Sequence, residues 1–358
     1  MQRRSSWLHA AASVGVSLTS VPASAAEIGT GGELELTISG YVAMNAYSGA
    51  LDNQREDPDL STGLDFGTDT EMYLTLEGED EEAGLEYGGT VEIEADTSDT
   101  ENAYSTWVFL SGGWGEARLG DEEGPVDESS LGGSTVAAGT GGIDGDIVDA
   151  IAVDAVSPTD SGNATKVRYY TPAFGGLQAG VSYTPNDDDG GDTLAGTDVE
   201  IVHWVEAAVT YTEEWEAFDL LASVVGSVGE NKNEGGKGPI WTGYTGATVT
   251  IDDLELGAGF GSEEVSGLEK TYLNGGIGYY GLDPVYASVT FGRVLRTQGY
   301  EGVGEPWNLV LSASLDLAEG LTLAGDVAYF DNDLVPEAHE LTGGDDGLVW
   351  VTRLEVAF

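Results

Sequence analysis

The chain has no cysteine, 3 histidines, and 12 Lys and Arg against 64 Asp and Glu in 358 residues. Each shortage removes a class of chemistry. Without cysteine there is no disulfide and no thiolate metal site. A multi-histidine metal centre or a Ser-His-Asp triad would have to draw on His203 and His339, since His9 falls in an N-terminal leader. Few Lys and Arg argue against nucleic acid, whose phosphates need them. No G-x-S-x-G, P-loop or H-E-x-x-H motif is present. No stretch offers about 20 consecutive apolar residues, so no transmembrane helix is predicted, a test blind to membrane barrels. The formal charge of −52 opposes compaction by self-repulsion. High external salt screens that repulsion, and the charge is taken as a habitat signal.

Residues 1–26 have the form of a secretory signal peptide. Arg3 and Arg4 precede a short apolar stretch, and small residues follow around Ala23 to Ala26. Cleavage just before Ala26 or Glu27 leaves one mature domain, 27–358.

What the chain has in abundance is period two. In ELELTISGYVAMNAY, Leu34, Leu36, Ile38, Val42 and Met44 share one parity, and Glu35, Thr37, Ser39, Tyr41 and Asn45 the other. That is a strand with one apolar and one polar face. GLEYGGTVEIEA repeats it, with Glu86, Glu92 and Glu94 on the polar side. Such runs predict an all-β chain of about sixteen strands. The connections alternate. Gly112-Gly113, Asp252-Asp253 and Ala318-Glu319-Gly320 are short; Ser48 to Asp69, Glu122 to Asn163, Pro185 to Asp198 and Asn332 to Gly347 are long. An even count of long strands with alternating loop lengths fits a transmembrane antiparallel β-barrel. The alternative is a secreted acidic β-sandwich that binds or hydrolyses carbohydrate, with the Leu and Val rows meeting in a dry core.

The last strand agrees with a barrel. Leu348, Trp350, Leu354, Val356 and Phe358 share one face, and Arg353 and Glu355 the other. The first group is expected to face lipid and anchor the chain, with Phe358 in the aromatic girdle. Trp107, Trp204, Trp241 and Trp307 are assigned to the same girdle. The run VEIVHWVEAAVTY (199–211) is apolar on both faces and is offered as a contact between copies.

Three stretches now carry a likeness: LSGGWGEARLGDEEGP, NATKVRYYTPAFGGLQAGVSYTP and the terminal aromatic strand. They resemble the trimeric Gram-negative porins, particularly the general diffusion type of alphaproteobacteria, and the order of strands and loops is similar over nearly the whole mature chain. The resemblance implies a homotrimeric sixteen-stranded barrel in outer-membrane lipid that passes small hydrophilic solutes and ions passively. It also implies a third external loop folded into the lumen, here 121–163. That loop's DGDIVDAIAVDAV offers Asp144, Asp146, Asp149 and Asp154 as the acidic side of a constriction. The basic side would fall on Arg118, Lys166, Arg168 and Arg353, which parity puts on the polar face. Of Arg293 and Arg296 only one can face inward, and Val289 and Phe291 argue for Arg296. The chain departs from the family where Asp121-Glu122 replaces a basic residue after RLG, and where Asp160-Ser161-Gly162 stands in place of an arginine. Rings of carboxylates select cations, so cation preference is expected. No enzyme activity, nucleic-acid partner or resident cofactor is expected. The acidic stretches Asn186 to Asp198 and around Asp331 lack EF-hand spacing and would hold Ca2+ at most loosely.

Overall fold

The computed structural model describes residues 26–29, 34–51, 64–94, 103–145, 155–186, 201–231, 240–299, 303–333 and 346–358. Among them the strands are β1 (Ala26–Gly29), β2 (Leu34–Leu51), β3 (Asp65–Asp80), β4 (Leu85–Glu94), β5 (Ala103–Gly112) and β6 (Gly115–Asp121). After a long connection come β7 (Thr165–Tyr170), β8 (Leu177–Asn186), β9 (Ile201–Glu214), β10 (Asp219–Asn231), β11 (Ile240–Ile251) and β12 (Leu254–Val265). The chain ends with β13 (Leu268–Leu282), β14 (Val285–Gln298), β15 (Trp307–Ala318), β16 (Leu321–Asp331) and β17 (Asp346–Ala357).

Each of β2 to β17 pairs antiparallel with its neighbours in sequence, and β17 pairs back onto β2 through Trp350↔Ser48 and Val356↔Val42. The sheet is therefore a closed ring of sixteen strands, which leaves no unpaired edge. At the seam, Phe358 N–H donates to the Gly40 carbonyl and Gly40 N–H to the Phe358 carbonyl, at 2.9 and 3.0 Å. Below that point β1 takes the same edge of β2, with Ala26 opposite Ile38.

The burial pattern is inverted relative to a sandwich. Leu and Val rows are exposed, with Val224 at 62% and Leu311 at 54%. The opposite parity buries Ser223, Thr242, Asn274, Thr290 and Asp326. Among the described residues no dry layer joins the apolar rows, so the sandwich alternative falls. An apolar skin over a polar interior suits a sheet surrounded by lipid.

One end carries the short turns, such as Asp252-Asp253 and Asp283-Pro284, and the other the longer connections. Two expectations need correction. The sheet runs on through Ser48 to Leu51 and resumes at Asp65, so the first long loop is shorter than expected: the alternation persists beyond the apolar belt. At the long-loop end β12 and β13 are joined by Ser266-Gly267 alone, so the alternation of loop lengths is not strict. The connection after β6 contains a short helix, α1 (Pro125–Glu128), and two 3-10 turns, Ser134–Val136 and Gly142–Asp144.

Candidate functional site

Between β6 and β7, residues 122–145 and 155–164 lie on the polar face of the sheet. The two roots of this segment are held by shared partners. Lys166 Nζ donates to the carbonyls of Glu122 and Gly162. The fully buried Glu206 accepts from Val126 N–H at 3.2 Å with Oε2 and from Ser161 N–H at 2.8 Å with Oε1. One lysine and one glutamate thus clasp the entry and the exit of the segment.

Its middle is bonded to successive strands. Tyr244 of β11 donates its hydroxyl to the Leu131 carbonyl at 2.8 Å. Asn274 of β13 accepts from Gly133 N–H at 2.8 Å and donates Nδ2 to the carbonyls of Ala155 and Val156. Ser288 and Thr290 of β14 accept from Ala138 and Ile143 N–H, and Asp326 of β16 accepts from Thr140 N–H at 3.0 Å. Backbone groups that no regular element satisfies are thereby paired, as burial demands. Two apolar contacts supplement them. Val126 and Ala155 pack with Ala208, Val225, Tyr244, Tyr272 and Val294; Ile143 and Val156 pack with Val310, Ala328 and Val351. The wall has room because it is glycine there. A Cβ on Gly246 would stand 1.7 Å from the Leu131 carbonyl oxygen, and one on Gly257 2.1 Å from that of Gly132.

The cations on this face are matched by carboxylates or carbonyls. Arg168 meets Glu122 at 3.0 Å and also Glu128. Arg118 meets Glu116 at 2.6 Å and Glu122 at 3.5 Å, with its guanidinium 4.1 Å over the Trp107 ring. Lys270 meets Glu263 at 3.4 Å, and Arg353 meets Asp69 at 2.8 Å and Glu355 at 3.0 Å. The roots of the segment hold an excess of acid. Burial, then the charges of Asp127 and Asp160, pushes Glu123 up to about 8. Burial and the Asp127 and Glu206 charges push Asp160 up to about 7; burial and the Asp144 and Glu128 charges push Asp127 up to about 6.

The expected site residues are distributed as follows. Arg118, Lys166, Arg168 and Arg353 share the polar face. Asp144 is exposed at the end of a 3-10 turn, while Asp146, Asp149 and Asp154 lie outside the described residues. Arg296 is not on the polar face. A register shift on β14 pairs Tyr272 with Val294 but Thr271 with Arg296, so the extra residue Leu295 reverses the parity. Val294 turns inward, fully buried, and Arg296 joins Arg293 on the apolar side. Leu348, Leu354, Val356 and Phe358 are exposed on that side, with Trp350 in line. Two girdle assignments fail: Trp107 and Trp204 have the inward parity, Trp107 beneath Arg118 and Trp204 opposite the buried Thr184. The two-faced run 199–211 has an internal reason, since Ala208 packs with Val126 and Glu206 clasps the segment. Around Asp331, its carboxylate accepts from Asp333 N–H, and Asp333 accepts from Glu305 N–H. Asn186 to Asp198 lies outside the described residues beyond Asn186.

Sequence reasoning missed Glu206, Lys270, Asn274 and the glycine bed. The signal was present: GAGFGSE and LNGGIG place glycine on the polar parity of neighbouring strands, where a wall facing open water has no need of it.

Comparison with known proteins bears on the whole arrangement. No curated protein matches the sequence. Among solved structures, an anion-selective porin from Comamonas acidovorans aligns at 17% identity over 91% of this chain and 100% of its own, with a TM-score of 0.65. The trimer form of OmpT, an outer membrane protein of Vibrio cholerae, aligns at 11% identity over 91% and 100%, with a TM-score of 0.64. OmpF of Salmonella typhi, in complex with daunomycin, aligns at 14% over 93% and 100%, with a TM-score of 0.62. At such identities these show the same fold. Residues 10–334 match the Gram-negative porin family itself. With the closed barrel, the lipid-ready skin and the polar interior, that match shows that this chain belongs to the Gram-negative porin family, as an outer-membrane channel protein.

Proposed function

We propose that the channel is a water-filled pore for passive diffusion of small hydrophilic solutes and ions, narrowed by residues 122–164 and preferring cations. The observation that carries this reading is the imbalance of charge on the polar face. Arg118, Arg168, Lys270 and Arg353 each face a carboxylate within 4 Å. Lys166 is buried against backbone carbonyls. The surplus is acidic, and acidic linings favour cations. The anion selectivity of the Comamonas protein belongs to that protein; here Glu122 follows β6 and meets both Arg118 and Arg168.

The working parts are the bore and its charges, with no catalytic group. Assembly as a homotrimer follows the trimer form of the Vibrio protein, and is checked by a heat-modifiable oligomer band on a gel. The reading of selectivity is tested by the zero-current potential of single channels across a KCl gradient. A potential of cation sign is expected; one of anion sign would overturn it.

A further inference from the structure

We infer that Arg293 and Arg296 form a lipid-binding site on the outer rim of the barrel, taking a phosphate group of the anionic glycolipid of the outer leaflet. Seven Lys and Arg are described outside the leader. Five of them lie on the inward face, and Arg293 and Arg296 alone point outward. Both sit near the long-loop end of β14.

Their depth is fixed by rings. Phe291, Trp307 and Tyr329 form an outward ladder across β14, β15 and β16, with centroids 6.2 and 5.4 Å apart. Such a ladder marks the membrane–water interface. The Arg293 row, opposite Leu273 and Trp307, lies one step of two residues beyond the Phe291 row. That is about 7 Å along the strand. Arg296 lies a further such step beyond, opposite Thr271. At a tilt of about 40° the two rows stand roughly 5 and 10 Å above the rings along the membrane normal. The headgroup layer is roughly 5–8 Å deep on each side. Both long side chains therefore reach phosphate level, the depth to which such groups extend.

The chemistry fits. Guanidinium presents a fork of donors that matches phosphate oxygens. The Arg293 pair with Glu305 uses Nη2 at 3.0 Å, and both side chains are about half exposed. Such a pair is weak, and through the one nitrogen Nη2 it occupies one of the five N–H donors, leaving a second forked edge for an anion. Arg296 donates Nη2 to Gln298 at 3.3 Å. Glu269 stands opposite Gln298 on the same face, so the two arginines are required to offset local acid before an anion can approach. The bulge at Leu295 has a purpose on this reading: without it Arg296 would turn into the bore.

The experiment titrates the purified full-length assembly in detergent with bisphosphorylated lipid A, the same glycolipid without phosphates, and phosphatidylcholine, counting bound lipids by native mass spectrometry. Wild type should bind the bisphosphorylated form preferentially. The double variant Arg293→Gln/Arg296→Gln should lose that preference by about tenfold, as two charge-assisted hydrogen bonds are removed. Its single-channel conductance should be unchanged, which also certifies folding. Equal binding of the phosphorylated and phosphate-free lipids by wild type would overturn the proposal, and needs no variant. So would undiminished preference in the folded double variant. Competition by millimolar inorganic phosphate, irrespective of acyl chains, would reassign the site to a free anion and equally overturn the lipid assignment.

Discussion

The inner wall has two unlike halves. On β9 to β16 many inward side chains are small and neutral, Ser223, Ser227, Thr242, Ser288 and Thr290 among them, and the charged ones, Glu206, Glu263, Lys270 and Asp326, are buried with them where residues 122–145 and 155–164 approach. On β3 and β4 the inward residues include Asp69, Glu71, Tyr73, Glu92 and Glu94, and these are partly exposed. Glu71 there accepts from the hydroxyls of Tyr41, at 2.7 Å, and Tyr73. Both halves obey the same period-two rule, so alternation alone does not distinguish them. What separates them is size and charge on the inward row. Small neutral residues let a second layer approach, whereas long carboxylates keep water.

The comparison is broken most severely at the root of the segment. Replacing Arg168 by Met leaves Glu122, 2% exposed, and Glu128 without their shared cation. Removing one member of a buried pair costs about 3–5 kcal/mol. The expected outcome is rapid proteolysis within 122–164 and a larger single-channel conductance; a variant with native conductance would show that Arg168 and its two carboxylates do not position the segment. Next comes Gly257→Val. Its Cβ falls 2.1 Å from the Gly132 carbonyl oxygen, and overpacking of that kind costs about 1–3 kcal/mol. The same two assays should report a displaced segment. Thr75→Val on β3, which loses only the hydroxyl contact to Thr90, should leave both unchanged.

The pH response sharpens the contrast, because the acid surplus at the roots belongs to one half only. Glu123, Asp127 and Asp160 are held above the ordinary carboxylate range, at about 8, 6 and 7. Lys166 and Glu206 face the same cluster. A raised carboxyl favours the neutral form in the anchored state, whereas a released segment ionises at ordinary values. Anchoring is therefore firmest below about pH 4–5 and weakens as pH rises through about 6 to 8. Proteolysis of the segment in the folded channel should accelerate from pH 5 to pH 9, and Asp160→Asn should flatten that profile. Slower cleavage at pH 9 than at pH 5 would reverse the sign and remove the argument.

Much of this was legible in the residues. Parity assigns the outward face of β17 from Leu348 to Phe358, and the inward placement of Arg118, Lys166, Arg168 and Arg353, because the period is fixed by the pleat. It fails at Arg296, where one inserted residue reverses every later side chain and nothing in GRVLRTQ announces it. It also misassigns Trp107 and Trp204, which composition sends to the girdle while their parity turns them inward. The clasp by Glu206 is a contact between residues 45 and 80 positions apart, which local pattern does not encode.

The smallest effect tests the exposed half directly. If β3 and β4 supply the field that passing ions feel, neutralising Glu71 or Glu92 should lower the cation-to-anion permeability ratio. A unit charge about 10 Å away through water contributes about 0.4 kcal/mol, favourable to a cation and unfavourable to an anion, so its loss makes roughly a fourfold change in the ratio. The control is Glu264→Gln, a carboxylate of the outward face opposite Trp241, for which no change is expected. The zero-current potential in a KCl gradient reads both. An equal shift from Glu264→Gln would mean that net charge, rather than its placement on the inner wall, sets the selectivity, and the distinction between the two halves would lose its functional content.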